Sequence, residues 1–174
     1  MSESFQSVAA APAIRRVVVG IGELAVSSDP ESAVVTHALG SCVAVCIWDP
    51  AVGVGGLLHV LLPDSRINPE RAKQQPGAFA DTGIPLLFHT AYAHGLDKKR
   101  CRVRLVGGAN VAGLPATDAA VGKRNILAAR SLLWKNGVLI EKEAVGGNEA
   151  RTVTLDVGDG TIRIGSGTRV TQEL

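Results

Sequence analysis

The sequence predicts an α+β fold, a mixed β-sheet covered by helices, and three observations carry that prediction. Short β-rich runs recur along the chain, two stretches of helical periodicity interrupt them, and glycine, proline and aspartate punctuate the joins. The composition agrees: 46% hydrophobic and 20% charged residues with 20 glycines describe a globular chain rich in strands and turns. A length of 174 residues suits one domain with a well-buried core. The first 13 residues are small, polar and proline-containing, so they are expected to form a mobile tail, with a single domain over 14–174.

Arg16 to Gly22, Ala33 to Thr36, Val43 to Trp48 and Gly56 to Leu61 each carry the β-branched and apolar residues of a short strand. Asp49-Pro50 and Gly53 supply the turn between the last two. From Pro63 to Gly77 the chain turns polar and reads as an exposed loop. Ile84, Leu87, Phe88, Ala91 and Tyr92 recur at helical spacing, with Pro85 expected in the first turn and Gly95 as the stop. Arg102 to Val106 reads as a strand, followed by a flexible Gly107-Gly108-Ala109 corner. Lys123 to Lys135 reads as a second helix ended by Gly137. Val138 to Glu143, Thr152 to Asp156 and Thr161 to Ile164 complete the strands, the last two joined through Gly158-Asp159-Gly160.

Several function classes lose support at this level. The formal charge of +2 is close to balance, and the one basic cluster, Lys98-Lys99-Arg100 with Arg102 and Arg104, reads as a solvated element boundary. Aromatic residues make up 3% of the chain, too few for a base-stacking surface, so no nucleic-acid partner is expected. Three cysteines without paired spacing fit a reducing cytoplasm. The N-terminus does not read as a secretory signal, and no apolar run is long enough to insert in a bilayer. Gly20-Ile21-Gly22 is too short for a dinucleotide fingerprint, and no phosphate-binding lysine follows a glycine cluster, so no cofactor is expected.

The chemistry concentrates in THALGSCVAVCIWDP, Thr36 to Pro50. Cys42 follows a glycine-containing turn and allows three roles: buried filler, metal ligand or nucleophile. As a nucleophile it needs a base and an oxyanion site. His59, 17 positions on, suits a strand, a turn and a return strand, and backbone amides near Gly40, Ser41 and Cys42 are candidate oxyanion donors. Cys46 shares a strand face with Ala44 and Trp48 and reads as core filler. A metal site has poor arithmetic, because Cys42 and Cys46 lack a second close ligand pair and His37 points to the opposite strand face. His89, among apolar helix positions, reads as a packing histidine.

Thr36, Gly40-Ser41-Cys42-Val43-Ala44-Val45, Gly56, His59 and Leu62-Pro63 resemble the active-site signature of the CheD family, the chemoreceptor glutamine deamidases of bacterial and archaeal chemotaxis. Ala80-Asp81-Thr82, Gly107-Gly108-Ala109-Asn110, Val121-Gly122-Lys123-Arg124-Asn125 and Gly146-Gly147-Asn148 with Arg151 stand in family order, extending the resemblance from about Arg16 to Ile164. The resemblance implies a nucleophile at Cys42, a histidine at His59 and a threonine at Thr36, and a β-sheet sandwich similar in fold to the cytotoxic necrotizing factor deamidase toxins. Phe79 departs from the pattern where tyrosine is common, a loss of a phenol expected to alter substrate contacts.

The function implied is hydrolysis of receptor glutamine amides to glutamate in chemotaxis adaptation, in the cytoplasm and without cofactor or metal. The CheC phosphatase is the implied regulatory partner. The alternative is a non-catalytic adaptor that binds chemoreceptors and the phosphatase through the same surface.

Overall fold

In the computed structural model, which describes residues 14–111, 116–166 and 169–174, the β-rich runs pair into two five-stranded sheets. The expected tail at 1–13 lies outside the described residues. The first sheet runs in the order β1 (Arg15–Val18), β3 (Ser32–Leu39), β8 (Arg151–Asp156), β9 (Ile162–Ser166) and β10 (Arg169–Glu173). The second runs β2 (Leu24–Ser27), β5 (Val54–Val60), β4 (Val43–Asp49), β6 (Arg102–Gly107) and β7 (Ile140–Val145). Both are mixed: β1 lies parallel to β3 and β6 parallel to β7, while the other pairs are antiparallel. The parallel β6–β7 pair needs a crossover, and α3 (Ala116–Lys135) supplies it.

Two apolar layers hold these sheets. Between them, Val34, Val153, Leu155, Ile162 and Ile164 of the first sheet meet Cys42, Ala44, Cys46, Leu57 and Val106 of the second. On the far side of the second sheet, Val43, Val45, Ile47, Leu58 and Val60 pack under Ile84, Leu87, Phe88 and Ala91 of α2 (Ala80–Tyr92) and Ile126, Ala129 and Leu133 of α3. Residues alternate between the two layers because successive strand side chains point to opposite faces. All of β4 is buried, as a strand covered on both faces must be.

Several expectations need correction. The loop expected from Pro63 to Gly77 contains the short helix α1 (Pro69–Gln74), whose N-cap Asn68 accepts from the Arg71 amide through its side chain. It has no buried residue, so no hydrophobic period betrayed it. Pro85 sits inside α2 rather than in its first turn, since the helix opens at Ala80, whose amide donates to the Leu62 carbonyl at 2.9 Å. α3 likewise begins before Lys123, in an alanine-rich stretch with helix propensity but little apolar period. β10 was unforeseen because its five residues are exposed and polar for the most part. No helix of the described residues is long and apolar enough to cross a membrane.

Cys46 is 1% exposed in the inter-sheet layer, and burial pushes its thiol up to about 12. Its expected role as filler is therefore met. Cys46→Ala should lower the free energy of urea unfolding by about 1–2 kcal/mol, the cost of a small cavity in a packed layer. An unchanged unfolding midpoint would remove Cys46 from the core.

Candidate functional site

The β-pairing brings the three predicted groups into one layer. Ala44 opposes His59 and Val43 opposes Val60, so one step beyond this register Cys42 and His59 become diagonal neighbours on the same sheet face. That face is the inter-sheet one, since Leu57, two positions before His59, and Cys42 itself both belong to the inter-sheet layer. Thr36 comes from the other sheet. It lies two positions after Val34 on the face turned toward His59. A register shift between Thr36 and Leu39, with Ala38 at φ 57°, lets both remain buried while His37 and Ala38 turn to solvent.

The hydrogen bonds around Thr36 determine the tautomer of His59. The Thr36 hydroxyl donates its only proton to the Val19 carbonyl at 2.8 Å, because a carbonyl can only accept. At its 2.7 Å contact with His59 Nδ1 the hydroxyl must therefore accept, and the imidazole carries its proton on Nδ1. Nε2 then holds a lone pair, buried and without a hydrogen-bond partner among the described residues. His59 is 1% exposed, and burial lowers its pKa from 6.5 to about 4. A neutral, oriented imidazole with a bare nitrogen is a general base waiting for a proton.

The turn that carries Cys42 is clamped by its carbonyls. The Ala109 amide donates to Gly40 O at 2.8 Å, the Gly108 amide to Cys42 O at 2.7 Å, and Asn125 Nδ2 to Ser41 O at 3.0 Å. Gly107 (φ 115°) and Gly108 (φ 67°) occupy backbone conformations that L side chains rarely adopt. A Cβ at Gly107 would also collide with the Cys42 carbonyl, and one at Gly108 would lie 2.5 Å from Ile126 Cδ1 of α3. Arg151 buttresses the corner from β8, donating to Gly146 O at 2.8 Å and Gly107 O at 3.4 Å. The corner expected to be flexible is thus the fixed wall behind Cys42.

Cys42 itself is 7% exposed and belongs to the core layer, so it is more deeply set than a loop-edge thiol. Gly40 and Ser41 are half-buried beside it. His37 is exposed and contacts Thr152 Oγ1 at 3.4 Å, away from the other three. His89 is not a packing histidine: it is exposed and meets Tyr92 edge-on with ring centroids 6.0 Å apart. Phe79 is fully buried, so a phenol at that position would face the core rather than a substrate. Asn125 was the residue without an assigned role. Its signal is an amide on the same helical stripe as Ala129 and Leu133, which are otherwise apolar core positions.

Known proteins resemble this chain over most of its length. A family model described as "CheD chemotactic sensory transduction" matches residues 61–166. A protein of Syntrophus aciditrophicus named probable chemoreceptor glutamine deamidase CheD 1 is 48% identical over 86% of this chain and 93% of its own. One of Anaeromyxobacter dehalogenans, named probable chemoreceptor glutamine deamidase CheD 2, is 46% identical over 88% of this chain and 96% of its own. An archaeal relative from Methanococcus maripaludis, named probable chemoreceptor glutamine deamidase CheD, is 38% identical over 87% and 96%.

Proposed function

The chain belongs to the CheD family, and from that premise we propose that it hydrolyses selected glutamine side-chain amides of chemoreceptors to glutamate, releasing ammonia by thiol catalysis. The single observation that carries the mechanism is the bare, buried Nε2 of a His59 whose Nδ1–H is held by Thr36. Nε2 takes the proton of the Cys42 thiol, and the thiolate attacks the glutamine amide carbon. The Ser41 and Cys42 amides hold the tetrahedral oxyanion, whereas the Gly40 amide, also a candidate from the sequence, is given to Ala38 O at 3.0 Å. The C–N bond breaks as the imidazolium gives its proton to the departing ammonia, leaving a thioester. Water, deprotonated by His59, adds to the thioester, the C–S bond breaks, and the thiol recovers its proton as glutamate leaves.

Each turnover places a carboxylate on a receptor helix where a neutral amide stood, a change of charge suited to adaptation of signalling. In this reading residues 14–174 form one deamidase domain similar in fold to the cytotoxic necrotizing factor toxins. The protein works in the cytoplasm on the receptors' cytoplasmic domains, with a CheC-type phosphatase as regulatory partner. The test is incubation with a purified receptor cytoplasmic domain, following ammonia and the mass change of amide-to-acid conversion at defined glutamines. No release from any receptor domain would sink the proposal.

Thr36 offers a finer check. Its hydroxyl relays Val19 to His59, whereas its branched shape serves the strand. Thr36→Val keeps the shape and should lower kcat about 10- to 100-fold, and up to roughly 10⁴-fold if the three residues act as one unit. Thr36→Ser keeps the hydroxyl and should retain substantial activity. An active valine protein beside an inactive serine protein would mean that Thr36 serves the strand alone.

A further inference from the structure

Resting on the deamidase reading, we infer that Asn125 is a positioning residue for the reaction, setting the peptide planes of the nucleophile turn through its carboxamide. Asn125 is fully buried on α3, and its amino group donates to two carbonyls, Ser41 O and Leu61 O, each at 3.0 Å. Both partners can only accept, so the Nδ2 end must face them and the orientation of the amide is fixed by chemistry. One carbonyl lies immediately before Cys42 and the other two residues after His59. A single side chain from a third element therefore ties the nucleophile turn to the end of the strand that carries the base.

The geometry reaches the oxyanion site through the peptide planes. In a trans peptide the carbonyl of one residue and the N–H of the next point in opposite directions, and no cis bond is present among the described residues. Drawing Gly40 O toward Ala109 and Ser41 O toward Asn125 therefore turns the Ser41 and Cys42 N–H groups away from α3 and β6. Ala109 holds the first plane with a backbone amide, which is set by the fold. Among the described residues, Asn125 is the side chain that holds the Ser41–Cys42 plane, and a side chain can be replaced.

Asn125 Oδ1 is buried with no hydrogen-bond partner among the described residues, so the bonding seen there runs through Nδ2. A leucine of similar size would remove the buried oxygen but leave the Ser41 and Leu61 carbonyls without this donor, so what the asparagine contributes is its hold on those two peptide planes.

The test separates two reactions of the same thiol. Alkylation of Cys42 by iodoacetamide is a displacement at saturated carbon and needs the thiolate but no oxyanion site, whereas deamidation needs both. Asn125→Leu should lower kcat for ammonia release about 10- to 100-fold, with KM for the receptor domain and the Cys42 alkylation rate each within about threefold of wild type. Asn125→Ala should behave alike and guards against a packing artefact of leucine. Unchanged kcat would overturn the inference, and so would an equal loss in alkylation, which would place the effect on the thiol and imidazole instead. Loss of a cooperative melt in both variants would make Asn125 a folding residue and also overturn it. Wild-type protein that released no ammonia would sink the deamidase reading and this inference with it; active wild type beside an equally active leucine variant would sink the inference alone.

Discussion

Replacing Cys42 by alanine is expected to abolish ammonia release, by at least about 10⁴-fold, because no other group near His59 can form the thioester. Receptor binding should persist. The thiol is 7% exposed in the inter-sheet layer, so the variant should also lose about 1 kcal/mol in urea unfolding, a cost that leaves the protein folded. The measurement pairs ammonia release with a pull-down of the receptor domain. Sustained deamidation by the alanine variant would overturn the assignment of the nucleophile. Receptor binding by a wild-type protein that never releases ammonia would favour the adaptor.

His59→Asn is expected to lower kcat by about 10³- to 10⁴-fold, since the amide can still donate to Thr36 Oγ1 but supplies no base. The pH dependence gives the sharper test. Sequence reasoning places the titration in the ordinary histidine or thiol range, but burial holds the His59 pKa at about 4. Wild-type kcat/KM should therefore change little between pH 7 and about 5.5, where an ordinary imidazole would already have lost about tenfold of its basic form. A midpoint near 6.5 would show that the imidazole is not desolvated.

The same shift governs stability. A histidine whose pKa is lower in the folded than in the unfolded state adds stability above the unfolded value and loses it as pH falls toward the folded one. Wild-type protein should thus lose on the order of 3 kcal/mol between pH 6.5 and 4 from this group, and His59→Asn should show a flatter profile over that window. Urea titrations across the range measure the difference.

Most of the strands, both long helices and the residue types of the site are legible in the sequence. β-branched runs such as Val43 to Ile47 form strands on local pattern alone, and the turn at Asp49-Pro50 with Gly53 returns the chain so that His59 meets the start of β4. Local pattern failed where a segment has no buried face: α1 and β10 are polar, so their apolar periodicity is absent although their backbones find partners. Resemblance named Thr36, yet nothing local could say what it touches.

The chemistry of the base and the setting of the nucleophile come from contacts between distant parts of the chain. The tautomer of His59 depends on a hydroxyl from the opposite sheet, itself committed to a carbonyl 17 residues away in sequence. The depressed pKa depends on burial between two sheets, and the orientation of the Cys42 turn on Gly108, Ala109 and Asn125, which lie far along the chain. Hydrogen bonds and desolvation are properties of neighbours in space, and the periodicities legible in a sequence record only which face of each element is buried, not what it is buried against.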